Sequence, residues 1–105
     1  MAIGMPPLLK SLIVISGFIF NTMYTVYILY SAKFNKIYIG FTSDIDKRLE
    51  SHNILATKGW TIKFRPWVLV YTEVYHTKAE ALQREKQLKT AKGRAFVWER
   101  INSTK

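Results

Sequence analysis

The chain has 105 residues, with 16 Lys+Arg against 7 Asp+Glu and a formal net charge of +9. Apolar residues make up 49%, including six Tyr, six Phe and three Trp, which is enough for one packed core and excludes a disordered basic tail. The length excludes two ordinary domains. With no cysteine and two histidines, disulfide scaffolds, thiolate zinc sites, cysteine nucleophiles and histidine-rich metal cages are excluded too.

Residues 1–22 differ from the rest. Lys10 is their only charged side chain, and Leu12 to Phe20 form a nine-residue apolar run. A membrane-spanning helix needs about 20 apolar residues, so this run is too short to cross a bilayer. Three readings stay open: a secretory-type apolar segment, a packed N-terminal extension, or translated upstream sequence with Met23 as the true start. The division expected is therefore 1–22 as an apolar extension that need not be native, and 23–105 as the domain.

From Tyr24 the pattern is orderly. Tyr24 to Tyr30 is β-branched and aromatic, a short buried strand by composition. Ser31 to Lys36 is turn-like, and Ile37 to Phe41 is a second strand, so the pair forms an antiparallel hairpin. Thr42 to Asp44 supplies N-cap candidates for a helix over Ile45–Asn53. Residues 54–65 form a basic loop, and Pro66 opens a third strand, Trp67 to Val74. Thr77 and Glu80 have capping-box spacing and start a helix to about Lys89. Gly93 punctuates, and Arg94 to Ile101 is a last short helix.

Polar groups on an apolar face are informative because burying them costs free energy unless something compensates. At 100° per residue, Ala81 falls about 40° and Leu88 about 60° to one side of Glu85, with Leu82 about 60° to the other. Glu85 therefore sits in the middle of the apolar stripe of its helix. Two readings are open: an ion pair with a neighbouring Arg or Lys, or a carboxylate kept for a divalent cation. Arg48 and His52 are i and i+4 on the earlier helix and share a face. They suit a guanidinium gripping a phosphate beside an imidazole that exchanges protons, or a plain solvated surface. Tyr27 and Tyr38 lie on the two hairpin strands, and one register brings both phenols to the same side of the sheet.

The run Val26-Tyr27-Ile28, Ile37-Tyr38-Ile39-Gly40, Arg48, His52-Asn53 and Arg84-Glu85-Lys86 resembles the GIY-YIG nuclease superfamily. It is most similar to small stand-alone members related to the N-terminal nuclease domain of excinuclease C. The likeness runs from about Met23 to Ile101. The second tyrosine tripeptide, the Arg eight residues after its glycine, and the Glu of an Ala-Leu-x-x-Glu helix occur in order. The first tripeptide keeps only its tyrosine, with Thr25 and Val26 ahead of Tyr27.

The resemblance implies an α+β fold, a three-stranded antiparallel sheet flanked by helices. It also implies metal-dependent hydrolysis of DNA phosphodiester bonds, structure-selective or weakly specific, in DNA repair or recombination. Glu85 would hold one Mg²⁺ or Mn²⁺, and Arg48 would neutralise the phosphate. Tyr27 or Tyr38 would be the general base, with Tyr27 slightly preferred, and His52 would relay its proton. A free phenol has a pKa of about 10, so this role asks neighbouring cations to lower it by several units. Lys58, Lys63 and Arg65 in the loop, and Lys86, Lys89 and Lys92 later, are candidate phosphate contacts. Trp60 can stack on an unpaired base or fold back on the core. The alternative is a non-catalytic nucleic-acid-binding module of the same fold. DNA is the expected partner with RNA open, in the cytoplasm, with no stable membrane association and a protein partner for targeting as an option.

Overall fold

The computed structural model describes residues 23–103, so the apolar segment 1–22 lies outside the described residues. Strand β1 (Tyr24–Ser31) turns through residues 32–35 into β2 (Lys36–Thr42), and β3 (Val68–Tyr75) completes an antiparallel sheet of order β2-β1-β3. Asn35 takes a positive φ of 53° in that turn, a conformation asparagine tolerates, and its Oδ1 accepts from the Tyr30 hydroxyl at 2.9 Å. Between β2 and β3 run helix α1 (Ile45–Glu50), a π-helical turn (Ser51–Leu55) and a 3-10 turn (Trp60–Phe64). Helices α2 (Lys78–Leu88) and α3 (Ala91–Ser103) follow β3. This is the α+β architecture the sequence leads one to expect. Among the described residues no helix is long and apolar enough to cross a membrane.

The central strand is buried on both faces, which explains its nearly uninterrupted run of apolar and aromatic residues. Val26 and Ile28 join Ile37, Ile39, Ala81, Leu88, Val97 and Ile101 on the face covered by α2 and α3. Tyr27 and Leu29 point the other way, to Trp67, with Tyr38, Ile45, Leu49 and Phe64 packed around them. The period of two along the strand thus assigns odd positions of β1 to one layer and even positions to the other.

Two elements differ from expectation. The helix over Ile45–Asn53 is α-helical only to Glu50 and then widens into the π turn, closed by an Ala56 N–H donating to the Ser51 carbonyl at 3.0 Å. Gly93 does not punctuate; it lies inside α3, which starts three residues before Arg94. Thr90 caps that start, its carbonyl accepting from Arg94 N–H at 2.8 Å and its hydroxyl from Gly93 N–H at 3.1 Å. A Cβ on Gly93 would fall 2.2 Å from the Gln87 carbonyl oxygen and 2.5 Å from the Leu88 Cα. This glycine is therefore a point of close helix approach, not a helix stop.

A second polar cluster ties β3 to α2. Glu73 accepts from Arg84 through two contacts, Nε to Oε1 at 2.8 Å and Nη2 to Oε2 at 3.1 Å, and also from the hydroxyls of Tyr71 and Tyr75. Burial alone would raise the Glu73 carboxyl; the hydrogen bonds from Arg84, Tyr71 and Tyr75 outweigh it and hold it below the usual range.

Candidate active site

The hairpin register pairs Tyr27 with Gly40 and Leu29 with Tyr38, so Tyr27 and Tyr38 stand diagonally on one face. Their ring centroids are 6.1 Å apart. The Tyr27 ring lies over its cross-strand partner: a Cβ on Gly40 would meet the Tyr27 Oη at 2.7 Å and its Cζ at 2.9 Å. Only a residue without a side chain leaves room for the phenol there.

Helix α1 brings Arg48 and His52 to the same face. Asp44 caps it, its carboxylate accepting from Lys47 N–H at 3.1 Å. The π turn then swings His52 inward, leaving it 6% exposed, while Arg48 stays exposed on the helix surface. Nε2 of His52 lies 3.0 Å from the Tyr27 hydroxyl, and its ring meets Tyr38 at 4.7 Å between centroids.

Two residues to which the motif gives no such role hold the turn in place. Asn53 grips the Trp67 backbone in both directions, donating to its carbonyl at 2.9 Å and accepting from its N–H at 2.7 Å. Arg65 donates Nε to the His52 carbonyl at 2.5 Å, and Nη2 to the carbonyls of Ser51 at 3.1 Å and Ala56 at 2.9 Å. Helix ends leave carbonyls without intrahelical partners; this guanidinium satisfies those of His52 and Ala56 and adds a second donor to that of Ser51, which already accepts from Ala56 N–H. Arg65, expected as a phosphate contact, is placed as the cap of the π turn. Nothing in the local sequence signals this, because its acceptors lie nine to fourteen residues away.

The acid comes from α2. Thr77 and Glu80 form the expected cap, with Glu80 N–H donating to the Thr77 hydroxyl at 3.1 Å. One turn on, Glu85 lies between the buried Ala81 and Leu88, its side chain only 15% exposed. Its Oε2 is 3.3 Å from Lys89 Nζ, so Lys89, expected on phosphate, stands on the acid. Lys58, Lys63 and Lys86 are exposed.

The electrostatics of Tyr27 run against one expectation. Burial pushes its phenol well above the ordinary tyrosine value; Tyr38 and Glu85 add to that, and the Arg48 cation only partly offsets them. The neighbouring protein charges do not supply the lowered phenol anticipated from sequence, because the ring is 1% exposed and desolvation dominates. His52 moves downward, first through burial and then through the cations of Arg48 and Arg65. Its imidazole is therefore neutral at neutral pH, able to take a proton at one ring nitrogen. Arg48 and Glu85 both act on Tyr27, so a guanidinium and a carboxylate lie within electrostatic reach of one phenol.

A hard divalent cation such as Mg²⁺ is commonly held by one or two carboxylates, with water and substrate phosphate filling its shell. Glu85 fits that modest demand; among the described residues no group of three or more His, Cys, Asp or Glu gathers to hold an ion by protein ligands alone.

Comparison with known proteins places the chain in a family. The GIY-YIG catalytic domain matches residues 23–102. A UPF0213 protein of Staphylococcus haemolyticus is 40% identical over 65 residues, 62% of this chain and 78% of that protein. A UPF0213 protein of Staphylococcus aureus is 44% identical over 54 residues, 51% of this chain and 66% of that protein. The solution structure of a UPF0213 protein from Bacillus halodurans is similar at 28% identity and a TM-score of 0.45, covering 73% of this chain and 83% of that one. Nucleases of the GIY-YIG family generally use divalent metal ions. A match that spans nearly all of the described residues means that the chain belongs to the GIY-YIG family.

Proposed function

We propose that this protein is an endonuclease that hydrolyses DNA phosphodiester bonds, with RNA open as a second substrate. The observation that carries the reading is the Tyr27–His52 contact of 3.0 Å, under Tyr38, with the charges of Arg48 and Glu85 acting on the same phenol. Glu85 would hold a divalent ion, which when bound would supply positive charge near a departing 3′-oxygen. Arg48 pairs with the non-bridging phosphate oxygens as their charge builds. Tyr27 does not need to ionise beforehand. Its hydroxyl passes a proton to His52 Nε2 as its oxygen takes one from the attacking water, so the neutral imidazole is the final acceptor. Tyr38 orients water or phosphate beside it.

Kinship to the nuclease domain of excinuclease C, a place in repair or recombination, and action in the cytoplasm on structured or loosely specified DNA belong to the same reading. So do phosphate contacts by Lys58, Lys63 and Lys86. A second reading is a non-catalytic binding module of this fold, and the observation favouring it is the Lys89–Glu85 ion pair, which gives the acid a partner within the protein.

The deciding experiment is Mg²⁺-dependent nicking of plasmid and branched DNA by purified protein, with Glu85→Ala and Arg48→Ala alongside. Loss of nicking in both, with DNA binding retained in EDTA, supports the nuclease. Binding without nicking by the unaltered protein supports the module.

A further inference from the structure

The 3-10 turn carries an aromatic ledge that the chemistry above does not use. Trp60 meets Phe64 at 4.6 Å and Trp67 at 5.8 Å between ring centroids. Phe64 meets Phe34, from the β1–β2 turn, edge-on at 5.4 Å. Trp67 is buried, but Trp60 is 47% and Phe34 39% exposed, so two rings present open surface to solvent. The fringe is cationic. Lys33 Nζ stands 5.4 Å from the Phe34 ring centroid and Lys36 Nζ 5.5 Å from that of Phe64, while Lys63 on the turn is exposed.

This ledge is continuous with the candidate site. Trp67 lies 6.4 Å from Tyr38, whose ring meets His52. Open π faces beside ammonium groups match a polyanion that carries flat, uncovered rings at intervals along its backbone. Duplex DNA does not offer that, because its base faces are already stacked; an unpaired strand does. A neutral protein or lipid surface would leave the lysine fringe and the net charge of +9 without a counterpart, and an anionic membrane surface would meet the charge but offers no flat rings to stack on the exposed aromatic faces.

We propose that Trp60 and Phe34, joined by the half-buried Phe64, stack the bases of an unpaired nucleic-acid strand, with Lys33, Lys36 and Lys63 on its phosphates. Resting on the reading of Tyr27–His52 as the cleavage centre, this makes the substrate class single-stranded or flapped nucleic acid, led along the ledge toward that pair.

The test uses the full chain in EDTA, where cleavage plays no part. Fluorescence anisotropy compares a labelled oligothymidylate of about 15 nucleotides with a hairpin duplex carrying the same number of phosphates, at one salt concentration. The unaltered protein should prefer the single strand by about tenfold or more, with quenching of tryptophan emission. Stacking is worth about 1–3 kcal/mol per base, so Trp60→Ala should weaken single-strand binding by roughly five- to a hundredfold and erase the preference. Trp60→Phe should keep the preference, and Phe34→Ala, on an exposed turn, should reduce it even if Trp60→Ala fails to fold. Equal affinity for both ligands, or a preference that survives Trp60→Ala and Phe34→Ala, overturns the ledge. A Trp60-dependent preference in a protein that never nicks DNA overturns the nuclease reading and keeps the ledge. Nicking with no such preference does the reverse.

Discussion

The Tyr27 hydroxyl and the Nε2 of His52 stand 3.0 Å apart, one on the central strand and the other on a π turn 25 residues later. Burial shifts their proton affinities in opposite directions: the phenol is harder to ionise and the imidazole harder to charge. Opposite shifts favour the neutral pair at neutral pH, which is the state from which a proton relay can start.

If His52 is the terminal proton acceptor, the acid limb of the nicking rate should lie below the ordinary histidine value of about 6.5. The rate should be at its plateau by neutral pH and fall as the lowered pKa is crossed. His52→Asn should slow nicking about 10²- to 10⁴-fold, the usual contribution of general base catalysis, and remove that limb. A single-turnover pH profile checks both points. An acid limb above 7 would show that another group governs the proton.

Gly40→Ala should separate position from stability. The added methyl meets the Tyr27 phenol at 2.7 Å, so the ring must leave the strand surface and lose its alignment with His52. Overpacking of this kind costs about 1–3 kcal/mol. A folded protein by circular dichroism, with a modestly lower melting temperature and nicking lost, is the expected result. Full activity would mean that the relay tolerates a displaced phenol.

Arg65 and Lys63 are close in sequence but should behave differently. Arg65→Ala leaves carbonyls of Ser51, His52 and Ala56 without their guanidinium partner, at a cost of about 1–3 kcal/mol. For a domain of this size that lowers the melting temperature by roughly 4–8 °C per kcal/mol. Lys63→Ala should leave melting unchanged and reduce the salt slope of DNA binding by about one unit. Thermal denaturation beside a salt titration distinguishes the two roles.

Glu73 should set part of the acid sensitivity of the fold. Its carboxyl is held below the usual range, so the folded state binds that proton less readily than the unfolded chain. The stabilisation is present above the ordinary glutamate value of about 4.3 and is lost as pH falls through the lower folded value. Glu73→Gln should cost about 1.5–3 kcal/mol at neutral pH, by loss of charged hydrogen bonds with Arg84. It should also flatten the decline of melting temperature below about pH 4.3. Melting curves across that window provide the check.

Much of this molecule could be read along the chain because the signals are local. The β-branched and aromatic composition of the hairpin strands, the Thr77–Glu80 cap and the Ala81–Glu85–Leu88 stripe depend on residues within a few positions of one another, where local propensity and helix period act directly. The register that pairs Tyr27 with Gly40, left open along the chain, is fixed in the folded hairpin and brings both phenols to one face. What only the tertiary structure decided involves partners far apart in sequence: the His52–Tyr27 contact, the Arg65 and Asn53 clamps on the π turn, and the Phe34–Phe64–Trp60 ledge. The direction of the Tyr27 shift belongs there too. A residue type fixes the ordinary pKa, but the balance of desolvation against nearby charge exists only once the ring is buried among Tyr38, Arg48 and Glu85.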